Sequence, residues 1–218
     1  PIVGLVRAEL LKEWRHHNVP SADRVVLVLD FHSNPDRFMD VFDPLFSWES
    51  NRDFYLDILQ LAEKNLNIKF VIRGKDDAWC SLPYFDAIRS KIDVMPNVTI
   101  NRQYDEIGVT YKLAASADLV IARQTSLADE SLAAGIPVLI HDWRECQPHN
   151  VSVICDYRGY DVYVHDFETL AARVNAFFQD GVYLPDNVFD EMRSELYSEE
   201  TSETKKRIMQ CLKLVLEN

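Results

Sequence analysis

The segment Arg24-Val25-Val26-Leu27-Val28-Leu29-Asp30 is an apolar run with no alternation. A strand with one wet face would switch between apolar and polar residues. An unbroken Val/Leu run therefore predicts a strand buried on both faces of a parallel sheet. The pattern recurs along the chain. A helix over Asp53–Lys64 leads to a strand over Ile68–Ile72, and a helix from Pro83 to Ile92 leads to Val98–Ile100. Helices at Val109–Ala115 and Leu127–Ala134 lead to strands at Leu119–Ala122 and Pro137–Ile140. Val162–Val164 follows, then a helix over Phe167–Phe178 and a last one over Thr204–Leu216. An amphipathic helix at Val3–His17, with Val3, Val6, Leu10 and Trp14 on one stripe, precedes the first strand. Strands alternating with helices predict an α/β fold, a Rossmann-like parallel sheet with helices on both faces. At 218 residues the chain suits one such domain with helical extensions at both ends. The largest irregular insertion runs from His32 to Ser47.

Charge and composition narrow the function. The 23 Lys and Arg against 35 Asp and Glu give a net charge of −12. Nothing supplies the basic face that a nucleic-acid binder needs to displace counterions. The acidic stretch Asp186–Glu203 reads as a solvated face or tail. Cys80, Cys146, Cys155 and Cys211 form no CxxC pair and have no metal-like spacing, so they read as reduced thiols. The sequons at Asn97 and Asn150 read as chance occurrences. No apolar run approaches the roughly 18 residues of a membrane helix, so direct membrane insertion is not expected. The sequence opens on Pro1 without an initiator Met, which suggests a fragment or a processed chain.

In doubly wound sheets ligands bind at the carboxyl ends of the strands. The richest such segment is Ala122-Arg123-Gln124-Thr125-Ser126-Leu127-Ala128-Asp129-Glu130, running on to Gly135-Ile136-Pro137. A strand ends there and a hydroxyl-rich turn opens a helix. Ser126 is the expected N-cap, with Asp129 three residues on as its capping-box partner. Gly135 and Pro137 are the expected stop signals. Free N–H groups at the helix start, with Thr125 and Ser126, make a phosphate site. Glu130, a turn further along, suits a sugar hydroxyl pair such as that of ribose. Arg73-Gly74-Lys75, after a central strand, offers two cations about a flexible Gly to neutralise a diphosphate leaving group without a metal. A metal site built from Asp30, His32, His141 and Asp142 lacks ligand spacing. Gly-x-Ser-x-Gly, Gly-x-Gly-x-x-Gly and the Walker pattern are absent, which argues against a hydrolase triad, a dinucleotide cofactor and a P-loop.

The stretch Glu130-Ser131-Leu132-Ala133-Ala134-Gly135-Ile136-Pro137-Val138 resembles the donor-binding motif of GT-B glycosyltransferases. It is similar to the peptidoglycan N-acetylglucosaminyltransferases and, more loosely, to bacterial surface-polysaccharide transferases. Ala117-Asp118-Leu119-Val120-Ile121 resembles the lead-in to that motif. The resemblance implies one half of a GT-B fold, with Glu130 on the donor ribose and Thr125 and Ser126 on the donor phosphates. It implies that Arg102 and Tyr104 frame the nucleobase and that Ser33 and Asn34 face the interdomain cleft. Arg144, Gln147 and Asn150 would contact the sugar. Gln124-Thr125-Ser126 stands where many members carry a Gly, and a second acidic residue of retaining enzymes is not evident.

By this resemblance, residues 1–20 are a connecting helix, 21–185 the donor nucleotide-sugar-binding domain and 186–218 a C-terminal helical extension. The implied activity is transfer of a sugar from a nucleotide-activated donor to a hydroxyl acceptor, with no cofactor and no nameable general base. The acceptor domain would be a missing N-terminal half. The implied setting is cytoplasmic, with any contact at the inner face of the membrane made through that half. A UDP-sugar 2-epimerase-like enzyme and a non-catalytic nucleotide- or partner-binding domain are the alternatives.

Overall fold

A computed structural model describes residues 6–17, 23–30, 48–104, 108–123, 125–142, 157–184, 188–197, 206 and 208–210. In chain order the elements are α1 (Val6–His17), β1 (Arg24–Leu29), α2 (Trp48–Lys64), β2 (Ile68–Arg73), α3 (Asp86–Val94), β3 (Val98–Ile100) and α4 (Val109–Ser116). Then come β4 (Leu119–Ala122), α5 (Ser126–Ala133), β5 (Val138–His141), β6 (Tyr163–Val164), α6 (Phe167–Asp180) and α7 (Val188–Leu196). The described strands form one sheet in the order β3-β2-β1-β4-β5-β6, and every pairing is parallel.

The Val/Leu run explains this sheet. Successive side chains of a strand point to opposite faces. Val26 and Val28 enter one core with Phe54 and Ile58 of α2, Ile88 of α3 and Leu170 of α6. Leu27 and Leu29 enter the other core with Leu11 of α1, Ala114 of α4, Leu132 of α5 and Met192 of α7. Both faces are covered, so neither set of positions tolerates a polar residue. Each fully buried aliphatic side chain contributes about 1.5–3 kcal/mol of transfer free energy.

Several boundaries and faces differ from the sequence expectation. Helix α2 begins at Trp48 rather than Asp53. The buried side of α1 is Ala8 and Leu11, while Leu10 is 39% exposed. The stripe is rotated because α1 lies across α4 and α5. Arg15 donates to Ala117 O at 3.1 Å there, and Trp14 meets Tyr111 edge-on. Before α3 come two 3-10 turns, Ala78–Ser81 and Pro83–Phe85, whose Trp79 and Phe85 pack on Tyr55. Within the acidic stretch, α7 buries Met192 and leaves Asp190 and Glu191 exposed. Of the expected last helix, Lys206 and residues 208–210 are described and are helical.

Asn97, in the first sequon, is buried. Its Nδ2 donates to Ala62 O, Asn65 O and Ile68 O at 3.0–3.1 Å. The nitrogen that would carry a glycan is therefore occupied in the folded chain. Among the described residues no helix is long and apolar enough to cross a membrane.

Candidate functional site

After β1 the chain passes to α2 on one face of the sheet, and after β4 to α5 on the other. The connections that leave these two paired strands therefore go to opposite faces, and the crevice outside the carboxyl ends at such a switch point is the place where doubly wound folds bind ligands. Asp118 ties the other end of the pair together, since its Oδ2 accepts from Val25 N at 2.7 Å. That gives the Ala117-Asp118 lead-in a structural reason.

On the β4 side, α5 starts one residue earlier than the Ser126 N-cap reading required. Thr125, in extended conformation, is the N-cap, and its Oγ1 accepts from Ala128 N at 3.2 Å. Ser126 is the first helical residue and is exposed, beside N–H groups that have no acceptor within the helix itself. Asp129 does not close a capping box. It is fully buried and accepts a hydrogen bond from Tyr157 Oη. Gly135 ends the helix as expected: at φ 80° its N–H reaches Leu132 O, and Ile136 N reaches Ser131 O. Glu130 is buried, accepts from Tyr111 Oη at 2.8 Å and lies 3.7 Å from Arg7 Nη1. Burial holds its carboxyl above the ordinary Glu value, with Tyr111 and Arg7 pulling the other way.

On the β1 side stands Asp30. Its Oδ2 accepts from Tyr55 Oη, and its N–H donates to Arg73 O at 3.3 Å. Its Oδ1 is buried with no hydrogen-bond partner among the described residues. Burial pushes this carboxyl up to about 7, against the opposing effects of Tyr55, Arg123 and Arg73. Arg123, just past β4, is buried and donates to Asn51 Oδ1 on α2. At the end of β5, His141 Nε2 lies 2.7 Å from Asp57 Oδ2, and Asp142 accepts from Tyr163 Oη at 3.1 Å. Among the described residues no group of three His, Cys, Asp or Glu side chains is placed to hold a metal ion.

The Arg73-Gly74-Lys75 trio is not a pair of cations on a flexible hinge. Arg73 is buried and turned toward β3 and α4. Its Nε donates to Thr110 Oγ1 at 3.1 Å, Nη1 to Asn101 Oδ1 at 3.0 Å and Nη2 to Gln103 O at 3.3 Å. Its guanidinium lies 4.4 Å from the centre of the Tyr104 ring. Lys75 is exposed. Gly74 is required by proximity, because a Cβ there would sit 2.2 Å from Asp30 Oδ1. Arg73 thus shapes the segment that carries Tyr104, and Tyr104 Oη is buried with no partner among the described residues. Arg102 points away from that segment, to Asp77 Oδ2 at 2.9 Å and toward Cys80.

The structure brings Thr125, Ser126 and Glu130 together on α5, and Arg73, Gly74 and Tyr104 around the end of β2. Ser33, Asn34, Arg144, Gln147 and Asn150 lie outside the described residues. Sequence reading missed Asp30–Tyr55, Arg123–Asn51, Asp57–His141 and Tyr111. Each joins residues distant in the chain, and none leaves a local motif.

The sequence matches no family model and no curated protein. Solved structures do match. MnaA of S. aureus, solved with UDP, superposes with a TM-score of 0.58 at 11% identity, over 99% of this chain and 53% of its own. The UDP-GlcNAc 2-epimerase of Neisseria meningitidis, bound to UDP-GlcNAc, gives 0.56 at 15% identity, over 96% and 50%. The wall teichoic acid polymerase TagF gives 0.53 at 15% identity, over 97% and 50%. The chain spans about half the length of each of these proteins. The described strands form a six-stranded parallel sheet covered by helices on both faces, a Rossmann-like fold that matches about half of each of these structures.

Proposed function

We propose that this chain is the nucleotide-sugar-binding half of a glycosyltransferase that moves a sugar from a nucleotide-activated donor to a hydroxyl acceptor in bacterial surface-polysaccharide or glycoconjugate synthesis. The observation that carries the reading is Glu130. It is a buried acid on the helix that opens beside the β1–β4 crevice, one turn beyond the exposed Ser126. A carboxylate there suits a ribose diol, while the helix start suits the phosphates. The structures of MnaA with UDP and of the Neisseria epimerase with UDP-GlcNAc support a nucleotide-sugar ligand.

In this reading Thr125, Ser126 and the first N–H groups of α5 stabilise the departing phosphate as its charge develops. Lys75, at the exposed rim, adds a mobile positive charge. Arg73 acts at one remove by holding Tyr104 against the site. Glu130 orients the donor and transfers no proton. The acceptor and the general base belong to a second half of the protein. We place the reaction in the cytoplasm, with any membrane attachment through that second half.

Titration of the chain with UDP, CDP, GDP and CMP tests the reading, on wild type and Glu130→Ala. One nucleotide should bind at micromolar to millimolar strength. A charge-assisted hydrogen bond contributes about 1.5–3 kcal/mol, so Glu130→Ala should weaken binding by roughly tenfold or more. Unchanged binding in a folded Glu130→Ala chain would remove Glu130 from the site.

A further inference from the structure

The two carboxylate oxygens of Glu130 have different surroundings. Oε2 accepts the Tyr111 O–H at 2.8 Å. Oε1 lies 3.7 Å from Arg7 Nη1, within ion-pair range and beyond a hydrogen bond. Tyr111 Oη itself accepts from Arg7 Nη1 at 3.0 Å. The phenol has one proton to donate, and with its lone pair engaged by Arg7 that proton goes to Glu130. The Tyr111 ring is held as well, edge-on to Trp14 of α1 at 6.2 Å and 80°. The chain Arg7–Tyr111–Glu130 thus fixes one oxygen of the carboxylate and leaves the other without a hydrogen bond among the described residues.

We propose that Tyr111 is a positioning residue for ribose recognition: it anchors Glu130 through Oε2, so that Oε1 is presented to the 2′- and 3′-hydroxyls of a bound nucleotide. The inference rests on the nucleotide reading of the site. A Glu side chain fixed before binding loses little rotamer freedom on binding, whereas a loose one must be ordered by the ligand. Tyr111 and Arg7 also oppose the effect of burial and favour the ionised carboxylate, the form that accepts from both hydroxyls.

The test is calorimetric titration with UDP, CDP and GDP and with their 2′-deoxy and 3′-deoxy counterparts, on wild type and Tyr111→Phe, with thermal melting as the folding control. Wild type should prefer the ribonucleotide by about tenfold. Tyr111→Phe should weaken the ribonucleotide by about the same factor and leave the deoxy forms within about twofold, so that the preference collapses. Equal weakening of ribo and deoxy forms would show that Tyr111 merely fastens α1, and would overturn the inference while leaving the nucleotide reading intact. No binding of any nucleotide to wild type would overturn both. If Tyr111→Phe does not fold, Arg7→Ala carries the test, since that side chain is 67% exposed. The ribo-to-deoxy ratio should then fall, and an unchanged ratio would overturn the inference.

Discussion

Gly74→Ala offers a sharp test of the packing around the crevice. The φ of Gly74 lies outside the left-handed region, so an L-residue meets no backbone strain there. The obstacle is Asp30. A Cβ at position 74 would lie 2.2 Å from its Oδ1 and 2.8 Å from its Cγ. The carboxyl would have to retreat by about 1 Å to restore van der Waals contact. Retreat is resisted because Oδ2 is held by Tyr55 Oη, and the Tyr55 ring is stacked on Trp79 with centroids 4.4 Å apart. Overpacking of this kind costs about 1–3 kcal/mol, offset by roughly 0.5 kcal/mol from the lower entropy of an unfolded chain with Ala. A net loss of about 2 kcal/mol corresponds to a fall in Tm of roughly 4–8 °C at this chain length. Urea unfolding of Gly74→Ala, Asp30→Ala and the double variant isolates the cause. Without the Asp30 carboxyl, Gly74→Ala should be neutral or slightly stabilising, a coupling of about 2 kcal/mol. The same loss in both backgrounds would refute the explanation.

The remaining predictions concern stability. Asp30 has a folded-state carboxyl at about 7 against an ordinary 3.8, so the folded chain takes up a proton first as pH falls. Asp30 therefore favours folding increasingly as pH drops through that window, and this contribution is lost as pH rises toward 7. Between pH 8 and 5.5 it should add about 2 kcal/mol, and Asp30→Asn should remove that part of the slope in urea melts at the two pH values. An identical pH difference in both proteins would count against a raised Asp30. Thr125→Ala removes the cap of α5 and should cost about 1 kcal/mol, with Thr125→Ser restoring most of it in thermal melts. Asn97→Ala removes a buried side-chain donor shared by three carbonyls, of which Ala62 O and Asn65 O keep a backbone N–H, and should cost about 1–2 kcal/mol by urea denaturation, more than a surface asparagine would show.

The sheet was legible because its central strands β1, β4 and β5 are buried on both faces. Leu119–Ala122 and Val138–His141 are buried at every position, and such short runs between helical segments suit strands inside a parallel sheet. The stop at Gly135 was legible because a local rule governs it. The cap was misplaced by one residue because Thr125 and Ser126 are both good caps, and the choice depends on which residue is still extended when the strand ends. The face of α1 was misread because amphipathic periodicity gives a stripe but not the neighbours it rests on. Arg73-Gly74-Lys75 reads as a cationic loop in one dimension. A guanidinium that turns back to Asn101 and Thr110, and a glycine required by Asp30, become visible only when strands from distant parts of the chain lie side by side. Tyr111 and Glu130, on α4 and α5, are paired for the same reason.

The position of α1 bears on how this domain is assembled. Two of its tethers, Arg7 to Tyr111 and Arg15 to Ala117, bridge 104 and 102 residues of chain. β1 likewise gains its second neighbour only when β4 has formed. During synthesis, a nascent chain that has emerged only as far as Ile100 has a central strand with one edge of unpaired backbone N–H and C=O groups and a helix whose docking surface does not yet exist. Such a species is open to wrong partners, and contacts of this long sequence separation form slowly.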